Sequence, residues 1–290
     1  MAGSFHVVAT PIGNLGDLTQ RAAEVLRAAD FVLAEDTRHS QKLFQGLSLN
    51  ITNTQFVSCH QHNEEGRLEL VLNALNEGKN VALISDAGTP TISDPGGRLI
   101  EKLVAAEITI NVCPGASAVM AALMGAGLNT TQFAFLGFLP KKGRERQERI
   151  RAALLAQLAV VLYEAPDRVE KTLAALFEIC GPCRVVVARE LTKKFEVFHR
   201  GVLGDDTLSP PLVLKGEMVV LVEAPVRPLK EWQLGLTLDE QETKTEAWVQ
   251  AYALQDERPV KVVARELASK TGWSRKKAYD AILAHRKEQI

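Results

Sequence analysis

The stretch SDAGTPTISDPG, Ser85 to Gly96, directly follows the apolar run NVALI at 80–84. It holds two aspartates, two prolines and two glycines, and no basic residue. A short apolar run that stops in dense turn chemistry reads as a buried strand feeding a loop that is shaped to hold something.

Similar pairs of run and loop occur on either side. FHVVAT runs into PIGNLGDLT, residues 11–19, and ITINV runs into CPGASA, residues 113–118. Short Val- and Ile-rich runs, with ADFVLAED among them, alternate with the helical patterns LTQRAAEVLRAA and EEGRLELVLNALNEGK. Strand and helix in alternation predict a mainly parallel sheet covered on both faces. A second series follows, FAFLGFLP, AVVLYEA, RVVVARE, EVFHRGVLG and EMVVLVEA. Here the strands lie closer together, which predicts a mixed sheet. The fold class is α/β. An N-terminal parallel-sheet domain spans 1–125, and a second α/β domain with a mixed sheet spans 126–228. A small helical module spans 229–290.

That module shows as a change of composition. Residues 229–257 hold two basic and seven acidic residues, whereas 258–290 hold nine basic and three acidic. PVKVVARELASK and SRKKAYDAILAHRKEQ read as two helices around TGW. Ala264 and Leu267 face inward, Gly272 makes the turn, Ser274 caps the second helix, and Tyr279 and Ile282 complete the packing. The basic residues then lie outside, as an RNA grip, a solvated tail or a dimer-packing element.

The whole chain of 290 residues is 46% hydrophobic and 24% charged, with a formal net charge of −1. This is a globular composition, and any nucleic-acid surface must be local. No secretory signal is evident at the N-terminus. Residues 108–140 carry no charge, but Pro114, Gly115, Gly125 and Gly127 divide them into pieces too short for a membrane span. Four cysteines, Cys59, Cys113, Cys180 and Cys183, together with no signal, fit a reducing cytoplasm. Cys180 and Cys183 form CGPC. It follows a helical stretch and precedes a strand, the reverse of a thioredoxin-type dithiol, and so reads as a turn. No partner pair completes a zinc site, so no metal is expected.

In an open parallel sheet ligands bind beyond the carboxyl ends of the strands, where the three Pro- and Gly-bearing loops lie. None is a GxGxxG or GxxxxGK[ST] phosphate cradle. Backbone groups, small side chains and carboxylates suit a ligand with a cationic centre, a ribose and an adenine but no phosphate. S-adenosylmethionine is such a ligand, and a generic small metabolite is the alternative.

VATPIGNLGDLTQRA, LAEDTRHS, LISDAGTPTISDPG, CPGASAVMAAL, FLGFLPKKGRER, LYEAPDRV, ARELTKKFE and KGEMVVLVE occur in that order. From about Phe5 to Glu223 the chain resembles the ribosomal small subunit methyltransferase I family, of the tetrapyrrole-methylase class, and its helical tail resembles that family's too. CGPC departs from the family's plain Gly-containing turn. The resemblance implies S-adenosylmethionine-dependent 2'-O-methylation of the ribose of cytidine 1402 in 16S ribosomal RNA. It also implies a homodimer and two α/β domains with the cofactor between them.

Carried over by position, Pro11, Gly13 and Asn14 lie in the first cofactor loop. Ser85, Asp86, Ala87, Gly88 and Pro90 lie in the second. Pro114, Gly115, Ala116, Ser117 and Ala118 lie in the third. Tyr163, Glu164, Gly216, Glu217 and Met218 come from the second domain. Candidates for handling the hydroxyl proton are Glu35, Asp36, Arg38 and Lys193. A carboxylate acts as base, or Lys193 acts as a neutral base or a charged stabiliser. The alternative for AEDTR is an ion-paired strand end. The basic run at 141–151 gives Lys141, Lys142, Arg144 and Arg146 as RNA contacts, joined by Arg275, Lys276 and Lys277. Its alternative is an exposed helix with pairs such as Glu145 with Arg149. The competing functions are methylation of a small tetrapyrrole-like substrate and non-catalytic RNA binding in ribosome assembly.

Overall fold

In the computed structural model, residues 3–49, 53–141, 143–205, 208–224, 249, 259–271 and 273–287 are described. Gly272 and Lys142 lie outside them. The chain divides into two compact units, Met1–Arg227 and Pro228–Ile290.

The first unit begins with five strands: β1 (Phe5–Val8), β2 (Phe31–Ala34), β3 (Gln55–Ser58), β4 (Val81–Leu83) and β5 (Ile110–Cys113). They form one sheet in the order β3-β2-β4-β1-β5, with every pairing parallel. The helices α1 (Gln20–Ala28), α2 (Thr37–Gly46), α3 (Leu68–Asn76) and α4 (Gly97–Ala105) connect and cover it, and α5 (Ala118–Ala126) follows β5. Two apolar clusters flank the sheet, one around Phe5, Leu33, Leu83 and Leu99, the other around Val8, Leu26, Val32 and Phe44. This double burial is why β4 reads as a continuous apolar run. β3 was not among the expected strands. The expected helix over 64–79 instead opens with a tight 3-10 turn at Glu64–Arg67. There Glu64 is turned inward, 4% exposed, and its carboxylate receives the Gly96 N–H at 2.6 Å.

The charge-free segment 108–140 resolves into β5, α5 and a strand, β6 (Phe133–Phe138). β6 opens the second sheet with β7 (Ala159–Glu164), β8 (Arg184–Arg189), β9 (Val197–Val202) and β10 (Met218–Val222), in the order β6-β7-β10-β8-β9. β6 runs parallel to β7, and the other pairings are antiparallel, so the sheet is mixed. The helices α6 (Arg144–Leu155) and α7 (Val169–Cys180) connect its strands. α5 packs on this sheet, where Val119 and Ala122 meet Val161, Val186 and Leu221. CGPC closes α7 and leads into β8, and Gly181 adopts φ +71°. Both thiols are free.

The second unit contains α8 (Val260–Thr271) and α9 (Arg275–Lys287), packed through Val263, Ala264, Leu267, Ala278 and Ile282 with Tyr279 at the edge. Ser274 Oγ accepts from the Lys277 N–H at 3.1 Å and caps α9. No helix among the described residues is long and apolar enough to cross a membrane.

Candidate functional site

The loops that leave β1, β4 and β5 are hydrogen-bonded to one another. Thr10 and Gly88 exchange both backbone bonds, at 2.8 and 3.0 Å. Thr10 Oγ1 donates to the Ser85 carbonyl, and Thr89 Oγ1 donates to the Ala116 carbonyl at 3.1 Å. Gly88 sits at φ +82°, a conformation that favours glycine. Within the same loop Thr91 and Ser93 also take positive φ, of 71° and 66°. Such conformations in non-glycine residues concentrate at functional loops.

These loops form one wall of a cavity of about 330 Å³. Ala87, Gly88, Ser117 and Ala118 line it from the first sheet's side. Tyr163, Ala188, Leu191, Gly216, Glu217 and Met218 line it from the second. No lysine, arginine or histidine lines this cavity, whereas Asp94 and Glu217 do.

The other expected cofactor residues act behind this wall or at its edge. Ser85 is 2% exposed and its hydroxyl bonds within its own loop. Asp86 accepts from the Asp36 N–H, and Asn14 caps the 3-10 turn at Leu15–Asp17. Pro11 and Pro90 are buried. A Cβ on Gly13 would overlap the Lys193 side chain, so the loop after β1 lies directly against the segment after β8. Pro114, Gly115 and Ala116 do not line the cavity. Glu164 does, but its side chain is 0% exposed and turned away. One oxygen takes the Ala165 N–H at 3.0 Å and Arg168 Nε at 3.1 Å, and the other takes the Thr172 hydroxyl.

None of the four residues expected to handle the proton lines the cavity. Asp36 caps α2 and pairs with the exposed Arg38, and the hydrogen bond from Arg38 holds its carboxyl below the usual range. This matches the ion-paired strand end. Glu35 is exposed as a residue, but partial desolvation of its carboxyl, followed by the charge of Asp86, raises it against the charge of His60. The surroundings of Lys193 favour its charged form over a neutral base. Partial burial pulls its pKa down, but Glu217 at 2.9 Å and Glu190 at 3.1 Å more than offset that, so the net shift is upward. It remains a charged group between two carboxylates.

Sequence reasoning missed Asp94, Phe138, Leu191 and Ala188 as lining residues. Asp94 stood in the quoted loop and was available as a signal. Its carboxyl is pushed up to about 6, first by burial and then by the charge of Glu35, against a hydrogen bond with Ser85. Burial and the charge of Asp94 likewise raise the Tyr163 phenol.

On α6, Arg144 pairs with Glu148 and Arg149 with Glu145, so that face is exposed and internally paired. Arg146 corrects the expectation of a continuous basic face. It is 7% exposed and donates to Thr172 Oγ1 at 2.7 Å, because its helical phase turns it toward α7. It offers no charge to a phosphate. Lys141 is exposed. In the second unit Arg275, Lys276 and Lys277 are exposed, and Lys277 Nζ lies 4.5 Å from the Trp273 ring. Lys261, Arg265, Arg275 and Lys276 line an open groove beside Tyr279. No group of three or more His, Cys, Asp or Glu among the described residues could hold a metal ion.

Residues 4–206 match the family described as Tetrapyrrole (Corrin/Porphyrin) Methylases. The chain is 35% identical over 289 residues to the ribosomal RNA small subunit methyltransferase I of Haemophilus influenzae, covering 98% of both chains. It is 43% identical over 223 residues to the protein of that name from Micromonospora olivasterospora, covering 76% of this chain and 70% of that one. The figure for the Synechocystis protein of that name is 48% over 202 residues, 69% and 71% of the two chains. Among solved structures, the methyltransferase CobJ superposes with a TM-score of 0.60 at 21% identity, covering 80% of this chain and 98% of that one, a likeness of fold.

Proposed function

Because the chain belongs to the ribosomal RNA small subunit methyltransferase I family of tetrapyrrole-methylase-type proteins, we propose that it transfers a methyl group from S-adenosylmethionine to the 2'-hydroxyl of cytidine 1402 in 16S ribosomal RNA. The observation that carries the ligand is the cavity, whose lining holds the carboxylates of Asp94 and Glu217, with that of Glu164 turned away, and no basic side chain. A phosphate-bearing nucleotide would meet no counter-charge there, whereas a sulfonium with a ribose and an adenine would. Ala188, Leu191 and Val219 offer apolar surface for a flat ring. Gly88 and Gly216 put no side chain in the way of a ligand. The residues therefore fit S-adenosylmethionine, which when bound supplies an activated methyl group.

What the protein must add is alignment, the exclusion of water and a route for the proton. The loops from β1, β4 and β5 serve the first two. Lys193 serves as a brace. Its ammonium ties Glu190, which also takes the Glu217 N–H at 2.9 Å, to the Glu217 carboxylate at the cavity wall.

In the second unit the RNA grip rests on the basic face of α9, and in the first unit Lys141 and Arg144 are contacts in their own right. Replacing Arg275, Lys276 and Lys277 together with alanine is expected to lower the slope of log K against log salt by about 3 if each meets one phosphate. An unchanged slope would place the RNA elsewhere. The protein acts as a homodimer in this reading. Met120 and Met124, one turn apart on α5 and 50% and 88% exposed, offer apolar surface to a second copy. Its check is a solution mass of twice 31.7 kDa.

The deciding experiment offers labelled methyl donor to free 16S RNA, to assembled small subunits, and to subunits from cells lacking this protein. Label in an alkali-resistant dinucleotide from the third acceptor alone is expected. Bound cofactor with no label on any RNA would favour a small-molecule methylase, and no bound cofactor would favour a non-catalytic assembly protein.

A further inference from the structure

The mouth of the cavity carries a feature that methyl-donor binding does not use. β6 and β7 pair in register from Phe133 with Ala159 to Phe135 with Val161, then shift so that Phe138 meets Tyr163. The irregularity contains Gly137 at φ +59°. A bulge of this kind re-aims a side chain and is frequent beside active sites. Here its effect is specific. Phe135 and Phe138 would point to opposite faces of a regular strand, yet both rings lie against Tyr163, with centroids 4.9 and 5.4 Å away. Phe138 is thereby brought to the cavity lining while remaining 58% exposed.

The bulge also meets the loop that carries Asp94. A Cβ on Gly137 would lie 3.0 Å from Ser93 Oγ. Ser93 and Asp94 both line the cavity. A largely exposed aromatic ring and a carboxylate thus both line the cavity. The groups acting on Asp94 are Ser85 and the carboxylates of Glu35 and Asp86, and Tyr163 lies across from it. His60, at the end of β3, acts on Glu35, and Arg38 is held by Asp36. No cation is among the groups that shift Asp94.

We propose that this part of the lining is the acceptor subsite for one nucleoside unstacked from its RNA, with the base on Phe138 and Asp94 receiving the ribose hydroxyl proton. The inference rests on the methyl-transfer reading above. In the step, the hydroxyl oxygen bonds to the methyl carbon and the carbon–sulfur bond breaks, its electron pair remaining on sulfur. The hydroxyl proton passes to an Asp94 oxygen and from there to solvent. The sulfonium charge and the carboxylate charge vanish together, so net charge is balanced. A carboxyl raised to about 6 is ionised at neutral pH yet more basic than an ordinary aspartate.

The test compares wild type with Asp94→Asn, Asp94→Glu and Phe138→Ala on assembled small subunits. Wild-type transfer is measured first, and its failure on every RNA would remove the underlying reading rather than this one. Asp94→Asn is expected to lower kcat by roughly 100-fold or more, with a far smaller loss of cofactor affinity by equilibrium dialysis, since Glu217 remains as a counter-charge at the cavity. The acid limb of the wild-type kcat profile near pH 6 should be absent in Asp94→Asn and present in Asp94→Glu. Phe138→Ala should raise the acceptor KM roughly tenfold and leave kcat close to wild type.

Thermal melting gives a readout free of activity. Because the folded pKa of Asp94 lies above the unfolded value, its ionised form opposes folding above about pH 6. That penalty is relieved as pH falls and is gone below the unfolded pKa. Asp94→Asn should therefore melt higher than wild type at pH 8, with the gap closing toward pH 4. Near-wild-type kcat in Asp94→Asn, or a loss of cofactor affinity as large as the loss of kcat, would overturn the proton-acceptor role. An unchanged acceptor KM in Phe138→Ala would overturn the base platform.

Discussion

Glu164→Ala is expected to destabilise the first unit by about 3–5 kcal/mol, the range for removing one partner of a buried ion pair. The side chain of Glu164 is 0% exposed and receives Arg168, the Ala165 N–H and the Thr172 hydroxyl. That hydroxyl in turn receives Arg146. Without the carboxylate, two arginines keep their charge in a poorly solvated place with only neutral acceptors. These include the Leu139 carbonyl for Arg168 and the Pro140 carbonyl for Arg146. Urea unfolding at neutral pH measures the loss. A change below about 1 kcal/mol would mean that solvent reaches the site and that the pair behaves as a surface pair.

The second large effect concerns ligand binding. Ala87 is exposed, stands in the loop after β4 and lines the cavity. Ala87→Trp therefore directs an indole into the cavity's 330 Å³ without disturbing the buried core. S-adenosylmethionine affinity is expected to fall at least 100-fold, about 2.7 kcal/mol, with the melting temperature nearly unchanged. Calorimetric titration decides this. Unaltered affinity would show that the methyl donor occupies another part of the molecule.

Much of the architecture could be read before any coordinates. Parallel strands buried on both faces leave uninterrupted apolar runs, and β1, β2 and β4 were visible for that reason, whereas β5, an edge strand with Val112 58% exposed, was visible through its own Ile and Val residues. β3 was not, because QFVS holds only two apolar residues between a Gln and a Ser, too few to stand out as an apolar run. The cavity loops announced themselves through Pro, Gly and Asp. The direction of individual side chains did not. A basic run carries no phase, so Arg146 looked equivalent to Arg144 until the helix turned one inward and the other out. The charge state of Lys193 depends on Glu217, which is 24 residues away in sequence. Asp94 was in plain view in SDPG, but its partner Glu35 arrives from a different strand. Phe138 depends on a bulge, and one extra residue in a strand leaves little trace in composition.

The mutual bonding of the β1, β4 and β5 loops has a kinetic consequence. Thr10, Ser85, Gly88, Thr89 and Ala116 hold one another, so the wall they form is arranged before any ligand arrives. The configurational entropy of ordering that wall is spent during folding, not at the moment of encounter. Variation in affinity among ligands of this cavity should therefore appear as residence time, with arrival rates nearly constant from one ligand to the next.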